Sequence, residues 1–133
     1  MDKIANRINI VWVIGIYAVL LGVFYGSTLT HDFVYDDIGS IVQNEYTHSL
    51  SHVPHAFTTC FWGAAKGWCE GGDVAEYRPF MALAFIATYQ ISSSSAFFHF
   101  MHLVYILGAA TLIFLLLREL GSNKLLAFFA GFL

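Results

Sequence analysis

The chain has 133 residues, of which 58% are hydrophobic, 17% aromatic and 11% charged, and its formal net charge is −3. An ordinary globular domain is about one quarter charged, so this composition predicts an integral membrane protein. The six lysines and arginines are too few to form a basic face, which excludes nucleic acid as a partner.

An uncharged apolar run predicts a first transmembrane helix over residues 8–25, after a cytoplasmic N-terminus of residues 1–7. At about 1.5 Å per residue, this run approaches the roughly 30 Å thickness of the hydrocarbon core. A cleaved signal peptide is the alternative, because Lys3 and Arg7 precede the run and "GST" at residues 26–28 is the nearest approach to a cleavage pattern. The length of the run favours the transmembrane helix.

Residues 26–95 are predicted to form a folded external loop. This segment contains seven acidic residues and two basic ones. The basic residues outside it flank the predicted spans, at Lys3, Arg7, Arg118 and Lys124. The positive-inside rule assigns those flanks to the cytoplasm, so the loop is predicted to face outward.

The loop is predicted to contain interfacial helices, because "YRPFMALAFIATYQI" has the pattern of a helix with Pro79 in its first turn. Four consecutive serines at residues 92–95 predict its end. The apolar stretch from Phe80 to Ile91 is too short to span a bilayer, so it is expected to lie in the interface or to re-enter. Ser95 is predicted to cap the next helix.

A second transmembrane helix is predicted over residues 96–117, followed by a cytoplasmic loop of residues 118–124. Residues 125–133 are predicted to start a third transmembrane helix, since nine residues are too few to span. The predicted fold is therefore an all-α integral membrane protein, with two complete transmembrane helices and the start of a third. The polypeptide resembles the front of a longer one.

Two cysteines, Cys60 and Cys69, lie in the predicted external loop. Disulfides persist outside the cytoplasm, so a Cys60–Cys69 bridge is a candidate. The alternative is two unpaired thiols packed among aromatic side chains, because sequence spacing does not show whether the two Cβ atoms meet.

Three histidines, His48, His52 and His55, have a spacing that could gather their imidazoles on a helix. A zinc site needs more than suitable spacing. Pro54 interrupts such a helix, and no acidic or thiol ligand is adjacent. Solvated or interfacial histidines are therefore the favoured interpretation.

Asp36 and Asp37 are adjacent carboxylates a few residues after the first apolar run. Like charges this close repel each other unless a cation or hydrogen-bond donors compensate, which indicates a ligand nearby. The alternative is an exposed turn, where aspartate is common because it bonds the local backbone and water solvates both charges.

Four segments share their order and approximate spacing with a known family: "FVYDDIGSIVQN" at 33–44, "FWG" at 61–63, "YRPF" at 77–80 and "FFHFMHLVYILGAAT" at 97–111. Over roughly residues 10–133 the chain resembles the transmembrane O-mannosyltransferases that carry tetratricopeptide repeats, and their bacterial relatives. It departs from the family pattern at two positions, with His102 in place of an asparagine and Ile106 in place of a further histidine.

The resemblance implies a glycosyltransferase of the multi-spanning GT-C class. Such an enzyme transfers a mannose-like sugar from a polyprenyl- or dolichyl-phosphate donor to a hydroxyl acceptor, here the serine or threonine of a protein or peptide. It implies a multi-pass protein of the bacterial inner membrane or the endoplasmic reticulum membrane, with the acidic loop periplasmic or lumenal. Because this class needs more spans, the chain would work only with the remainder of the enzyme or with partner membrane subunits, among membrane lipids.

The resemblance also assigns catalytic roles to the acidic pair. Asp36 is the candidate general base and Asp37 its supporting ligand or orienting group. A carboxylate can take the proton of an attacking hydroxyl, and the two together could instead hold a divalent cation, Mg²⁺ or Mn²⁺.

Donor-phosphate binding is assigned to Arg78 and His99, with support from His102 and Tyr77. A guanidinium immediately before a helix start suits phosphate, because the helix N-terminus adds unpaired N–H groups. The alternatives are an interfacial Arg78 whose charge extends to the headgroups and neutral histidines with ordinary hydrogen-bond partners.

Two other classes of function compete with the enzyme. A non-catalytic membrane subunit or a pseudoenzyme fragment would keep the fold of the first loop and serve an interaction or structural role. A small haem- or quinone-binding subunit would need histidines on two spans, and the first apolar run has none.

Overall fold

The computed structural model describes residues 10–63 and 76–132, and these residues form helices and turns without any β-strand. The predicted all-α class is confirmed. Four α-helices occur in the order α1 (Ile10–Tyr25), α2 (Pro79–Ile91), α3 (Ser95–Glu119) and α4 (Lys124–Phe132). Among the described residues between α1 and α2 there are four short helices: 3₁₀-helices at Gly26–Thr30, Glu45–His48 and Leu50–Phe57, and a π-helical turn at Ile38–Val42.

Within residues 10–63 and 76–132, two helical segments are long and apolar enough to cross a membrane, as judged by length and composition. They are Ile10–Thr30, which joins α1 to the following 3₁₀-helix, and α3. Within the described structure, 17% of the first apolar window and 11% of the second are buried. Their apolar side chains therefore lie mostly on the outside, which is expected of helices that face lipid and unusual for core helices of a soluble protein.

The described chain divides into two compact units. The helical unit contains residues 10–29 and 100–132, and the loop unit contains residues 30–63 and 76–99. The boundary at residue 30 falls close to the predicted start of the external loop at residue 26.

The helical unit has a small core around Tyr17, whose side chain is fully buried. Its hydroxyl donates a 2.7 Å hydrogen bond to the carbonyl oxygen of Phe128, and the two rings stack at 4.9 Å. A Cβ atom at Gly131 would lie 2.6 Å from the Tyr17 hydroxyl and 2.7 Å from the carbonyl oxygen of Ala110. Glycine therefore permits the close approach of α4 to α1 and α3, as small residues do between membrane helices.

The C-terminus of α3 is closed by a Schellman motif. Gly121 has a φ of +84°, a conformation that glycine adopts without steric cost. The N–H of Ser122 donates to the carbonyl of Leu117 at 2.9 Å, and that of Gly121 donates to the carbonyl of Arg118 at 3.1 Å. These bonds satisfy helix-end carbonyls and stop the helix before the turn into α4.

The N-terminus of α3 corrects one prediction. The helix begins at Ser95 itself, one residue earlier than expected, so the capping position moves to Ser94. The Ser94 hydroxyl accepts a 3.3 Å hydrogen bond from the N–H of Phe97. Ser95 is thus the first helical residue, and the prediction that its hydroxyl caps the helix is wrong.

The loop unit is folded, as predicted. Helix α2 begins at Pro79 and ends at Ile91, immediately before the four serines, and it packs against the 3₁₀-helices Glu45–His48 and Leu50–Phe57. The buried apolar side chains of this unit are Ile41, Ala56, Phe61, Trp62, Ile86 and Phe98.

Candidate functional site

The two aspartates lie on the first helical turn after Tyr35. Tyr35 has a φ of +48°, uncommon for a residue with a large side chain, and 90% of its surface is exposed. Consecutive residues on a helix project about 100° apart, so the carboxylates diverge. Asp36 is exposed and Asp37 is partly buried. The repulsion expected from their adjacency is relieved by this divergence.

Asp37 is bonded to its own turn. Its Oδ2 atom accepts a 3.3 Å hydrogen bond from the N–H of Val34, and its own N–H donates to the carbonyl of Val34 at 3.0 Å. The bond from the Val34 N–H to the Asp37 carboxylate is one half of a capping box, in which an acidic side chain in the first turn of a helix bonds the backbone N–H of the capping residue. The Asp36 carboxylate, in contrast, has no hydrogen-bond or ion-pair partner among the described residues.

Side chains of the 3₁₀-helix Glu45–His48 bond to the backbone that follows the two aspartates. Within the π-helical turn Ile38–Val42, the carbonyl of Ser40 accepts a hydrogen bond from the Thr47 hydroxyl at 2.9 Å. The carbonyl of Ile41 lies 2.8 Å from Nε2 of His48. Because a carbonyl oxygen only accepts, Nε2 of His48 carries the hydrogen. These bonds fix the π-helical turn, and the Ser40 hydroxyl within it donates a 2.7 Å hydrogen bond to the carbonyl of Asp36.

Arg78 lies at the start of α2 with two contacts to its guanidinium. The Nη2 atom is 3.5 Å from Oε2 of Glu76, and the Cζ atom is 5.5 Å from the ring centroid of Phe61. The Arg78 side chain is 51% exposed, so it remains accessible to a ligand. The neighbouring Tyr77 hydroxyl donates to the carbonyl of Phe57 at 3.3 Å, which gives Tyr77 a structural bond.

A row of aromatic rings connects the base of α2 to the start of α3. Its ring centroids are separated by 5.7 Å from Phe61 to Phe85, 5.9 Å from Phe85 to Phe98, 5.4 Å from Phe98 to Phe33 and 6.4 Å from Phe33 to His99. The Nε2 atom of His99 is buried and has no hydrogen-bond partner within the described residues. An unpaired buried nitrogen is uncommon in a folded protein, and this one lies at the end of the row.

The remaining predicted site residues are His102 and the two cysteines. His102 is exposed on α3, and within the described chain its ring has no hydrogen-bond partner. Cys60 is disulfide-bonded, whereas its candidate partner Cys69 belongs to residues 64–75, outside the described residues. The pairing of the two cysteines therefore stays a prediction.

The three clustered histidines have structural partners. His55 stacks on Tyr46 at 4.4 Å, His48 stacks on Tyr89 at 4.4 Å, and Nδ1 of His52 contacts a backbone carbonyl at 3.1 Å. The rings of His48 and His52 thus each place one nitrogen against a backbone carbonyl. Residues 10–63 and 76–132 contain no group of three or more His, Cys, Asp or Glu side chains that could hold a metal ion.

A divalent cation would have to be held by Asp36 and Asp37 with few other protein ligands. Mg²⁺ commonly binds one or two carboxylates and takes its remaining ligands from water and substrate phosphate. The exposed Asp36 carboxylate fits that mode. Asp37 fits it less well, because one of its oxygens already accepts the Val34 N–H.

Two features of the site were not predicted from the sequence. The positive φ of Tyr35 has no signal there, because glycine or asparagine is the usual residue in this conformation. The Glu76 carboxylate beside Arg78 had a signal, since an acid two residues before an arginine can reach it, but only the fold shows that it does.

Comparison of the chain with protein-family models, curated proteins and solved structures finds no match. The assignment of function therefore depends on the residues and geometry described above.

Proposed function

We propose that this chain is the N-terminal part of a GT-C class membrane glycosyltransferase, similar to the transmembrane O-mannosyltransferases with tetratricopeptide repeats. It transfers a mannose-like sugar from a polyprenyl- or dolichyl-phosphate donor to a hydroxyl group of a protein or peptide. The observation that carries the proposal is the Asp36 carboxylate, which is exposed and unpaired in the described structure although its backbone is firmly anchored.

The chemistry requires a base for the acceptor hydroxyl. A hydroxyl is a weak nucleophile until its proton is removed in the transition state, and a positioned carboxylate contributes about 10²- to 10⁴-fold to such a step. Asp36 takes this proton. Asp37 holds the turn through its bond to Val34 and keeps the neighbouring carboxylate at a fixed position.

The donor leaves as a negatively charged phosphate, and Arg78 binds it. A guanidinium can contact two phosphate oxygens at once, and at the N-terminus of α2 unpaired N–H groups add to the attraction. His99 offers its unpaired Nε2 at the other end of the aromatic row. A divalent cation bound to Asp36 and the donor phosphate would supply further charge neutralisation.

Topology follows from the same proposal. The chain is multi-pass, with Lys3 and Arg118 cytoplasmic and the loop unit on the periplasmic or lumenal side. A topology reporter fused after Ser49 should behave as external. A cytoplasmic signal from that reporter would contradict the use of a donor presented on the outer face.

The proposed function is tested in the complete enzyme by Asp36→Asn, which keeps the size of the side chain and removes its basicity. Sugar transfer from the polyprenyl-phosphate donor to a serine- and threonine-containing peptide should fall by about 10²-fold or more. The matched control is Asp32→Asn, which removes an exposed carboxylate of the same unit and should leave transfer unchanged.

Asp37→Asn separates orientation from metal binding. It should reduce transfer less than Asp36→Asn if Asp37 only holds the turn, and about equally if both carboxylates share a cation, in which case chelation also abolishes transfer. Full transfer by the Asp36→Asn, Asp37→Asn double variant would leave the non-catalytic membrane subunit as the better description.

A further inference from the structure

The ion pair between Glu76 and Arg78 is longer than a charge-assisted hydrogen bond. Its nitrogen and oxygen atoms are 3.5 Å apart, whereas a charge-assisted hydrogen bond is typically about 2.7–2.9 Å long. The Oε2 atom of Glu76 is buried and has no hydrogen-bond partner among the described residues. A buried carboxylate oxygen normally has at least one donor, so this one is poorly satisfied.

The backbone of Glu76 is bonded to Phe61. The N–H of Phe61 donates a 2.8 Å hydrogen bond to the carbonyl of Glu76, and the ring of the same Phe61 faces the Arg78 guanidinium. Glu76 and Arg78 are therefore both held against Phe61. The carboxylate stays beside the guanidinium without making a strong bond to it.

This arrangement leaves the guanidinium available. One contact is with the face of an aromatic ring and another with a carboxylate at long distance, while half of the Arg78 side chain is exposed. A phosphate that made two short contacts would interact more strongly than Glu76 does. It would also approach a carboxylate of the same sign.

We propose that Glu76 is a positioning residue that acts as an internal anion on Arg78, displaced when a phosphate group binds and limiting the affinity of that phosphate. The inference depends on the proposed function, in that Arg78 is the phosphate-binding residue. As a consequence, the phosphate-bearing product leaves faster than it would without Glu76, because the Glu76 carboxylate returns to the guanidinium as the phosphate leaves.

The experiment measures binding of three probes to the complete enzyme in phosphatidylcholine nanodiscs: a polyprenyl phosphate, phosphatidic acid and inorganic phosphate, with the phosphate-free polyprenol as reference. Glu76→Gln removes the charge and keeps the size and the backbone bond. Polyprenyl phosphate should bind about three- to fivefold more tightly to Glu76→Gln, the gain expected from removing one partly exposed like charge. If Glu76 had only a structural role, Glu76→Gln should instead bind polyprenyl phosphate more weakly.

Glu45→Gln is the matched control, because it makes the same change in net charge at an exposed position of the same unit. It should leave the affinity of all three probes unchanged. A double-variant cycle completes the test: in an Arg78→Ala background the gain from Glu76→Gln should vanish. Thermal unfolding of each variant verifies that it is folded.

The outcomes separate the two hypotheses. Weaker binding by Arg78→Ala, together with unchanged or weaker binding by Glu76→Gln, would overturn the role of Glu76 and leave Arg78 as the phosphate site. Unchanged binding by Arg78→Ala would overturn both. A gain seen with polyprenyl phosphate and phosphatidic acid supports displacement by a lipid headgroup, and an equal gain with inorganic phosphate supports displacement by phosphate in general.

Discussion

The helical unit and the loop unit are each stabilised by a different kind of interaction. In the helical unit, long α-helices satisfy their own backbone bonds, and the core consists of a few apolar side chains around Tyr17. In the loop unit, short 3₁₀- and π-helical turns leave carbonyls that side chains satisfy, as Thr47 and His48 do for Ser40 and Ile41.

The difference explains where polar chemistry can occur. A helix in a bilayer must pair every backbone group internally, which leaves little freedom to aim polar side chains. The loop unit uses irregular turns, and these produce the exposed Asp36 and the half-exposed Arg78. The candidate site therefore belongs to the unit whose stability depends most on individual hydrogen bonds and on single backbone conformations.

Gly63→Ala should cause the largest loss of stability. Gly63 has a φ of +53°, and a Cβ atom there would overlap Oδ1 of Asn44 and lie 2.8 Å from a ring carbon of Tyr46. Positive φ costs an alanine about 1–2 kcal/mol and overpacking adds about 1–3 kcal/mol, so the free energy of unfolding should fall by about 3 kcal/mol. Denaturant unfolding in detergent, followed by tryptophan fluorescence, measures it.

The matched control is Gly108→Ala, in the middle of α3 in the helical unit. Nothing lies within 4 Å of a Cβ atom there, and alanine is the better helix former by up to about 1 kcal/mol. This substitution should leave stability unchanged or raise it. Equal losses from Gly63→Ala and Gly108→Ala would contradict the contrast between the units.

Tyr17→Phe should have a smaller effect, because it removes one hydrogen bond and keeps the ring. The Tyr17 hydroxyl donates to the Phe128 carbonyl, and interhelical hydrogen bonds in membrane proteins contribute about 1 kcal/mol. Loss of α4 protection in hydrogen exchange should accompany the change. The control is Tyr25→Phe, because Tyr25 is half-exposed and its hydroxyl has no partner among the described residues. A Tyr25→Phe loss as large as that of Tyr17→Phe would argue against a specific role for the buried hydroxyl.

Sequence reasoning located the long helices well, because their signals are local. The uncharged runs predicted α1 and α3 to within two residues of their described bounds, and Pro79 with the four serines predicted both ends of α2. These features depend on composition over a short window. Sidedness is a separate matter that remains a prediction from the basic residues.

The site was only partly predictable, because its geometry depends on distant contacts and one backbone angle. The sequence singled out Asp36 and Asp37 but not their divergence, which follows from the helical turn that begins after Tyr35. It named Arg78 without Glu76 or Phe61, and it could not bring Phe33 next to Phe98, since these rings meet only in the folded unit.

The smallest effect is expected from Ser94→Ala, which tests whether α3 is capped by Ser94 and not by Ser95 as the sequence predicts. The Ser94 hydroxyl accepts a 3.3 Å hydrogen bond from Phe97, and because the bond is long and exposed its loss should cost about 0.5 kcal/mol, at the low end for a helix cap. Ser95→Ala changes the first helical residue and should be neutral or slightly stabilising, since alanine favours the helix. Hydrogen exchange at the Phe97 amide measures both, and Ser94→Asp should restore protection because a carboxylate accepts the same bond and favours the helix N-terminus. Faster exchange in Ser95→Ala than in Ser94→Ala would return the cap to Ser95, and with it the start of α3 to residue 96.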